Sequence, residues 1–413
     1  MSPGRRHREQ GGVMVLALIV LAGILALLAT FSANQRVYLN VTQNTLRERR
    51  AEAAARSALA ASLSKLQEVN TNLVKLDDDW ALLGESGTLA TTLTDGATYR
   101  VQILDAGSRL NINTLTEAQL QNLPITAEQV ASLLDWREAG QTARADGAKD
   151  SYYNELATPY NARLRALQSV SELALVKGWT ARTLYTPDAE GITATNPLES
   201  ANGDPLALAG VLTAASGAPN TLAAGGTRTN LNLPNLSPLT MLQLGLPVQL
   251  ATQSPFTSFA DVLRRPGVAP QAAQQVLDSA TFTTDTRLTG KVNLNTAPES
   301  VLLLLPGVTS DIASSIVTRQ STGFATLGEL SSIPGLMGAA LGQVADQASV
   351  GSDTFLVRAW GESGGVGVAY EAVVGVRSSR AQVLQLERIK TTSVPAWWSW
   401  EETTTSVASG VSQ

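Results

Sequence analysis

Side chains able to do nucleophilic or metal chemistry are almost absent from this chain. It contains no Cys, and its only His is His7. Without those residues there is no Ser-His-Asp triad, no Cys-His dyad and no His- or Cys-ligated zinc site. Carboxylate and lysine chemistry remain open. The 413 residues carry a net charge of −5. An acidic chain does not advertise a nucleic-acid partner, because affinity for phosphates comes from clustered Lys and Arg. The absence of Cys also excludes a disulfide framework.

The elements around this sparse chemistry are easier to read. Arg5, Arg6 and Arg8 precede Gly11-Gly12, and the 19 residues from Val13 to Phe31 carry no charge. A run of that length spans the hydrocarbon core as a helix, and its basic flank predicts a cytoplasmic N-terminus with the rest of the chain outside. There is no Gly or Pro from Ile24 to Leu83, so the apolar run reads as the first half of one long helix. Residues 1–12 are expected as a basic leader, 13–36 as the transmembrane helix and 37–70 as its amphipathic extension. Leu59, Leu63 and Leu66 share one face at helical spacing. Leader and anchor together resemble a type IV pilin-like precursor, in which a dedicated peptidase cuts after a leader Gly, here between Gly12 and Val13. The plainer alternative is a signal-anchor helix. Loss of residues 1–12 removes three Arg and one Glu, leaving a net charge of −7.

Beyond the helix, Tyr99, Val101 and Ile103 alternate with polar residues, which predicts a strand after the Asp95-Gly96 turn. Three more strands are expected at Phe355–Trp360, Val366–Val376 and Gln382–Ile389. The intervening chain reads as helix and loop. The fold class is therefore α+β: a small antiparallel sheet, formed by residues 71–110 and 350–390, split by a mainly helical insertion at 111–349. Residues 186–230, rich in Ala, Gly, Thr, Asn and Pro, read as a flexible connection inside the insertion. The Ser/Thr-rich segment 391–413 holds Trp397, Trp398 and Trp400 and reads equally as a disordered tail or a contact site.

The insertion repeats a pattern. Leu110-Asn111-Ile112-Asn113-Thr114 leads to Leu123-Pro124, and Val292-Asn293-Leu294-Asn295-Thr296 leads to Leu305-Pro306-Gly307. A degenerate copy starts at Leu231-Asn232-Leu233. Each copy has a second half, at Val170–Leu173, Phe324–Leu330 and Phe259–Leu263 respectively. Thr296 is expected to cap a helix entered through Pro298 and Glu299, and Pro306-Gly307 to turn into a helix over Ser310–Gln320. These units resemble helix-hairpin-helix (SAM-like) repeats. Such hairpins either bind DNA phosphates through their turn amides or serve packing. Residues 291–340 hold Lys291 and Arg319 against Glu299, Asp311 and Glu329, which favours packing.

The order of these elements resembles the minor pseudopilin K family of type II secretion systems. The resemblance rests on the basic leader, apolar helix, strand, Asn-rich hairpin, Asp135-Trp136, Tyr152-Tyr153, Ser171-Glu172-Leu173, second Asn-rich hairpin and terminal strands. It implies a non-enzymatic, single-pass inner-membrane protein with its bulk in the periplasm. It also implies a place at the tip of the pseudopilus. Its partners would be prepilin peptidase, the I- and J-type minor pseudopilins, the inner-membrane assembly platform, and cargo or the outer-membrane channel. No cofactor is required. Members with an acid-rich stretch are associated with calcium, which here would fall to Asp135, Glu138, Asp146, Asp150 and Glu155, with Lys149 and Ser151 standing where acids are expected. Most pilin-like subunits carry Glu at the fifth mature position to neutralise a neighbour's N-terminal amine. Here that position is Ala17, or Leu16 if the cut follows Gly11, and a subunit lacking the carboxylate fits the first place in a filament. A hairpin-bearing DNA receptor and a minor pilin of a type IV pilus are the alternative readings.

Overall fold

Good helix formers without a breaker let one helix run unbroken from the apolar segment into the body of the protein. In the computed structural model, which describes residues 6–186, 198–199, 205–223 and 225–400, α1 spans Arg6–Leu66. Wherever burial is described between residues 12 and 50, α1 is exposed. Its threonines are satisfied internally: Thr30, Thr42 and Thr45 donate to the carbonyls of Ala26, Tyr38 and Val41. From Ala51 onward the helix packs. Ala51, Ala54, Ala55 and Ala58 are fully buried, a row of small side chains that lets the helix backbone approach the sheet.

The sheet has five antiparallel strands in the order β1 (Thr91–Thr92), β2 (Thr98–Asp105), β3 (Thr354–Ser363), β4 (Val366–Arg377) and β5 (Arg380–Ile389). Gly96 takes φ +79 in the turn between β1 and β2, and Ala97 N–H donates to Asp95 Oδ1. Period-two alternation sends Val101, Ile103, Phe355, Val357, Ala359 and Val374 to one face, where they pack on α1. Trp360 and Ala369 lie in a separate cluster with Trp398 and Trp400. The segment after residue 390 is thus a cover for the sheet as far as Trp400: Trp400 Nε1 donates to Gln102 Oε1 at 2.9 Å and its ring lies 4.8 Å from that of Trp398.

Residues 106–353 sit between the paired strands β2 and β3. One hydrophobic core runs through them from Leu110 to Val350. The expectation of helix and loop alone needs correction, because each hairpin copy is closed by a two-residue parallel strand pair. Leu110–Asn111 pairs with Leu212–Thr213, Thr229–Asn230 with Ala280–Thr281, and Val292–Asn293 with Ala348–Ser349. These pairings set the third copy at Asn230, two residues before the Asn232 chosen from sequence. In all three, the first Asn side chain accepts from the N–H two residues on: Asn111 from Asn113, Asn230 from Asn232, and Asn293 from Asn295. The segment read as a flexible connection is structured in its second half, where Leu208–Val211 is helical and Gly217–Pro219 pairs with Arg287–Thr289. Its remainder at 187–197, 200–204 and 224, like leader residues 1–5 and tail residues 401–413, lies outside the described residues.

The second Asn of a copy clamps the two halves of its hairpin. Asn295 Oδ1 accepts from Phe324 N at 2.6 Å and its Nδ2 donates to Phe324 O at 3.0 Å. Asn113 does the same with Leu167, accepting from its N–H and donating to its carbonyl. Asn295→Ala should therefore cost about 1–3 kcal/mol for each backbone group left without a partner. Asn232→Ala, at an exposed position, should stay within about 0.5 kcal/mol of the parent. Equal urea midpoints for the two variants would refute this role for Asn295.

Candidate functional site

The Asp135-Trp136, Tyr152-Tyr153 and Ser-Glu-Leu elements lie far apart in sequence but meet in one place. Helix α2 (Ala127–Arg137) starts at a capping box between Thr126 and Gln129 and carries Asp135 and Trp136 into the core. The Trp136 and Tyr153 rings meet edge-on at 5.1 Å, Tyr160 stacks on Tyr153 at 5.3 Å, and Trp136 Nε1 donates to Glu172 Oε1 at 2.9 Å. Arg163 pairs with the other oxygen of Glu172 at 3.1 Å. The recurrence of aromatic and acidic dipeptides here is thus a packing nucleus.

The loop after α2 holds the five acidic residues considered for calcium. Asp135 is fully buried, and its two oxygens accept from Arg144: Oδ1 from Nη1 at 2.7 Å and Oδ2 from the backbone N–H at 2.9 Å. Arg144 Nη2 also pairs with Glu138 at 2.7 Å. The Lys149 ammonium, only 2% exposed, donates to the carbonyls of Asp135 and Glu138 at 2.5 and 2.8 Å. Asp150 accepts from Ala162 N–H at 2.7 Å and from Gln141 at 2.6 Å. Asp146 and Glu155 are exposed. Among the described residues no three acidic side chains gather to hold a metal ion. Calcium wants six to eight oxygens, several of them carboxylates. Here an ammonium and a guanidinium occupy the acceptors such an ion would use, so the residues present do not fit it. Lys149 was visible in the sequence as a departure, but Arg144 gave no signal because its partners lie six and nine residues away in an irregular loop.

The hairpin turn at Pro306-Gly307 leads into α3 (Ser310–Gln320), whose N-terminus Thr309 caps by accepting from Ile312 N–H. Gly307 has φ +81, the left-handed conformation that glycine adopts without strain, and it faces α4 (Gly338–Gln347). Neither nearby cation is free for a phosphate. Lys291 donates to Asp346 O, and burial pushes its pKa down. Arg319 pairs with Glu329 at 2.6 Å and lies over the Phe324 ring. The expected Thr296 cap is not made. Thr296 Oγ1 donates instead to the buried Asp105 at 2.6 Å, and the short helix Glu299–Leu302 begins at Pro298 without a side-chain cap. Asn293 Nδ2 donates to the same carboxylate at 2.8 Å. The second hairpin's Asn-rich turn thus ties the insertion to the end of β2.

Gly12, Val13 and Ala17 lie on the exposed stretch of α1, upstream of its packed half. Residues Gly12–Leu66 are long and apolar enough over part of their length to cross a membrane.

Comparison with known proteins matches two parts of this architecture. A family model described as type II secretion system protein K matches residues 108–186, and a helix-hairpin-helix motif matches 289–349. The type II secretion system protein K of Klebsiella pneumoniae is 28% identical over 199 residues, 42% of this chain and 60% of that one. A protein K relative from Escherichia coli strain K12 is 28% identical over 200 residues, 42% of this chain and 59% of its own length. The matched region thus spans about 60% of these relatives. A crystal structure of the GspK-GspI-GspJ complex of the enterotoxigenic Escherichia coli type 2 secretion system aligns over 87% of this chain and all of that one, with 15% identity and a TM-score of 0.42.

Proposed function

We propose that the chain is a member of the type II secretion protein K family, to which it is similar over residues 108–186 and at 28% identity to two relatives, and that it is a minor pseudopilin at the tip of the secretion pseudopilus. In this reading it starts filament assembly with I- and J-type minor pseudopilins and supports export across the outer membrane. It acts by binding and positioning, not by catalysis. Prepilin peptidase and the inner-membrane assembly platform complete its partners, and cargo or the outer-membrane channel would meet the hairpin domain. The protein would cross the inner membrane once, with its bulk in the periplasm.

The observation that carries this reading is the division of α1. Its first part offers Val13, Leu16, Leu21, Ile24, Leu28 and Phe31 to the surroundings at half exposure or close to it and above, while its last turns are fixed to the sheet. A helix that is apolar outside the body and small-residued inside it suits lateral packing against other such helices in a membrane or filament. Ala17 cannot neutralise the amine of a subunit ahead of it, and an unpaired charge in an apolar filament is costly, so the first position suits it. The engaged state of Lys291 and Arg319 argues against the DNA-receptor reading.

Intact-mass and N-terminal peptide analysis after co-expression with a prepilin peptidase tests the class. The expected product begins at N-methylated Val13, and Gly12→Arg should leave the chain uncut. A parent chain that still carries Arg6 to Gly12 in the presence of active peptidase would sink the proposal.

A further inference from the structure

The groove between the sheet and the insertion, apolar over most of its lining but holding several charged side chains, has no part in the reading above. It encloses about 390 Å³ against the face of the sheet, with Leu356, Arg358, Glu371 and Val373 from β3 and β4 on one side. Arg109 and residues 168–171 of the insertion form the opposite side, and Trp397 and Tyr185 close one end with ring centroids 4.5 Å apart.

The charge in this groove does not balance. Arg358 is buried and pairs with Glu371 at 3.2 Å. Arg109 is 8% exposed and donates to the carbonyl of Ala209 at 3.2 Å. Among the described residues it joins no ion pair. Arg388 lines the groove but pairs outside it with Glu48 at 2.5 Å, Lys390 adds a further cation, and Glu387 is engaged by Ser171 Oγ at 2.9 Å. Burial first, and the Arg358 charge second, push Arg109 down to about 9, with the Glu371 carboxylate offsetting part of the shift. A buried guanidinium held beside a second one is costly unless a carboxylate meets it. The planar fork of Arg suits a carboxylate bidentately. Charged side chains desolvated in a cleft are candidates for a binding site.

The groove also reaches the free edge of the sheet. Among the described residues β5 pairs only with β4, and its residues Gln385, Glu387, Arg388 and Ile389 line the opening. An extended chain can approach such an edge with its backbone while its side chains enter a groove. We propose that this groove is a docking site for an acidic segment of a second protein, with a carboxylate of that segment received by Arg109 and Arg358 and an apolar or aromatic neighbour placed against Tyr185 and Trp397. The inference stands apart from the tip reading, since any partner with this chemistry fits.

The test is fluorescence anisotropy on the full chain in detergent. The probes are a fluorescein-labelled octapeptide of alternating glutamate and leucine and its glutamine counterpart. The acidic probe should bind at least tenfold more tightly, and more weakly as salt rises. Arg109→Met should lower that affinity at least tenfold while leaving the unfolding midpoint unchanged or raised, because it removes a charge without a carboxylate partner. The exposed Lys390→Gln, which leaves the buried groups untouched, should weaken binding several-fold. Equal binding of the two probes, or none by either, overturns the proposal. So does binding that emerges only when residues 401–413 are deleted, since the occupant would then be the chain's own Glu401-Glu402 segment. Neither failure bears on cleavage at Gly12, which tests the tip reading separately.

Discussion

Lys149→Met is expected to lower the stability of the full chain by about 3 kcal/mol and to leave it unresponsive to calcium. The ammonium donates to two backbone carbonyls, and hydrogen bonds from a charged donor contribute about 1.5–3 kcal/mol each. Methionine fills similar volume but offers no donor, so both carbonyls at the end of α2 lose a partner. Arg144 would remain to pair with the Asp135 and Glu138 carboxylates. If the internal cations do the work that a metal would do elsewhere, neither millimolar calcium chloride nor EDTA will move the midpoint of the parent. Calcium will not restore the variant either. Differential scanning fluorimetry in detergent with both additives decides the matter. A rise in the parent's midpoint with calcium would show that the loop rearranges into an oxygen cage and would overturn the internal-cation account.

Gly361→Val should be comparably damaging for a different reason. A Cβ at Gly361 would lie 2.0 Å from Ala51 O and 2.5 Å from Ala55 N. Both atoms belong to the α1 backbone, so no side-chain rotation relieves the clash. The helix must lift from the sheet, with a cost at the upper end of the range of about 1–3 kcal/mol for overpacking. Because the same helix carries the exposed apolar stretch, the change would also loosen the join between anchor and body. Gly210→Ala is the matched control. Among the described residues nothing lies within 4 Å of its would-be Cβ and it sits in the helix Leu208–Val211, so it should be neutral or stabilise by about 0.4–1 kcal/mol. Chemical denaturation of both variants gives the comparison. A Gly361→Val protein as stable as its parent would mean that α1 is not clamped on β3.

Arg109 illustrates how far sequence and structure share the site. Nothing in the residues around Arg109 sets it apart, because its partner in charge, Arg358, is brought close only when β3 joins β2 across the whole insertion. The same holds for the tryptophans near the C-terminus, whose partners Gln102, Trp360 and Ala369 belong to three different strands. Such contacts join residues far apart in the chain and leave no local period to read.

The features that the sequence determined by itself are those with a local physical cause. An uncharged run of 19 residues after three arginines requires an apolar helix. Alternation at Tyr99–Ile103 and near the C-terminus requires strands, and the Asn-x-Asn turns recur because each first Asn accepts a hydrogen bond two residues on. Helix, hairpins and strands in that order were enough to indicate the resemblance to type II secretion protein K. Tertiary structure alone decided that the hairpins close through two-residue parallel pairs, and that Thr296 serves Asp105 and not a helix end. It also decided that ammonium and guanidinium groups fill the loop after α2, since a buried polar group takes whichever partner the packed fold brings within reach.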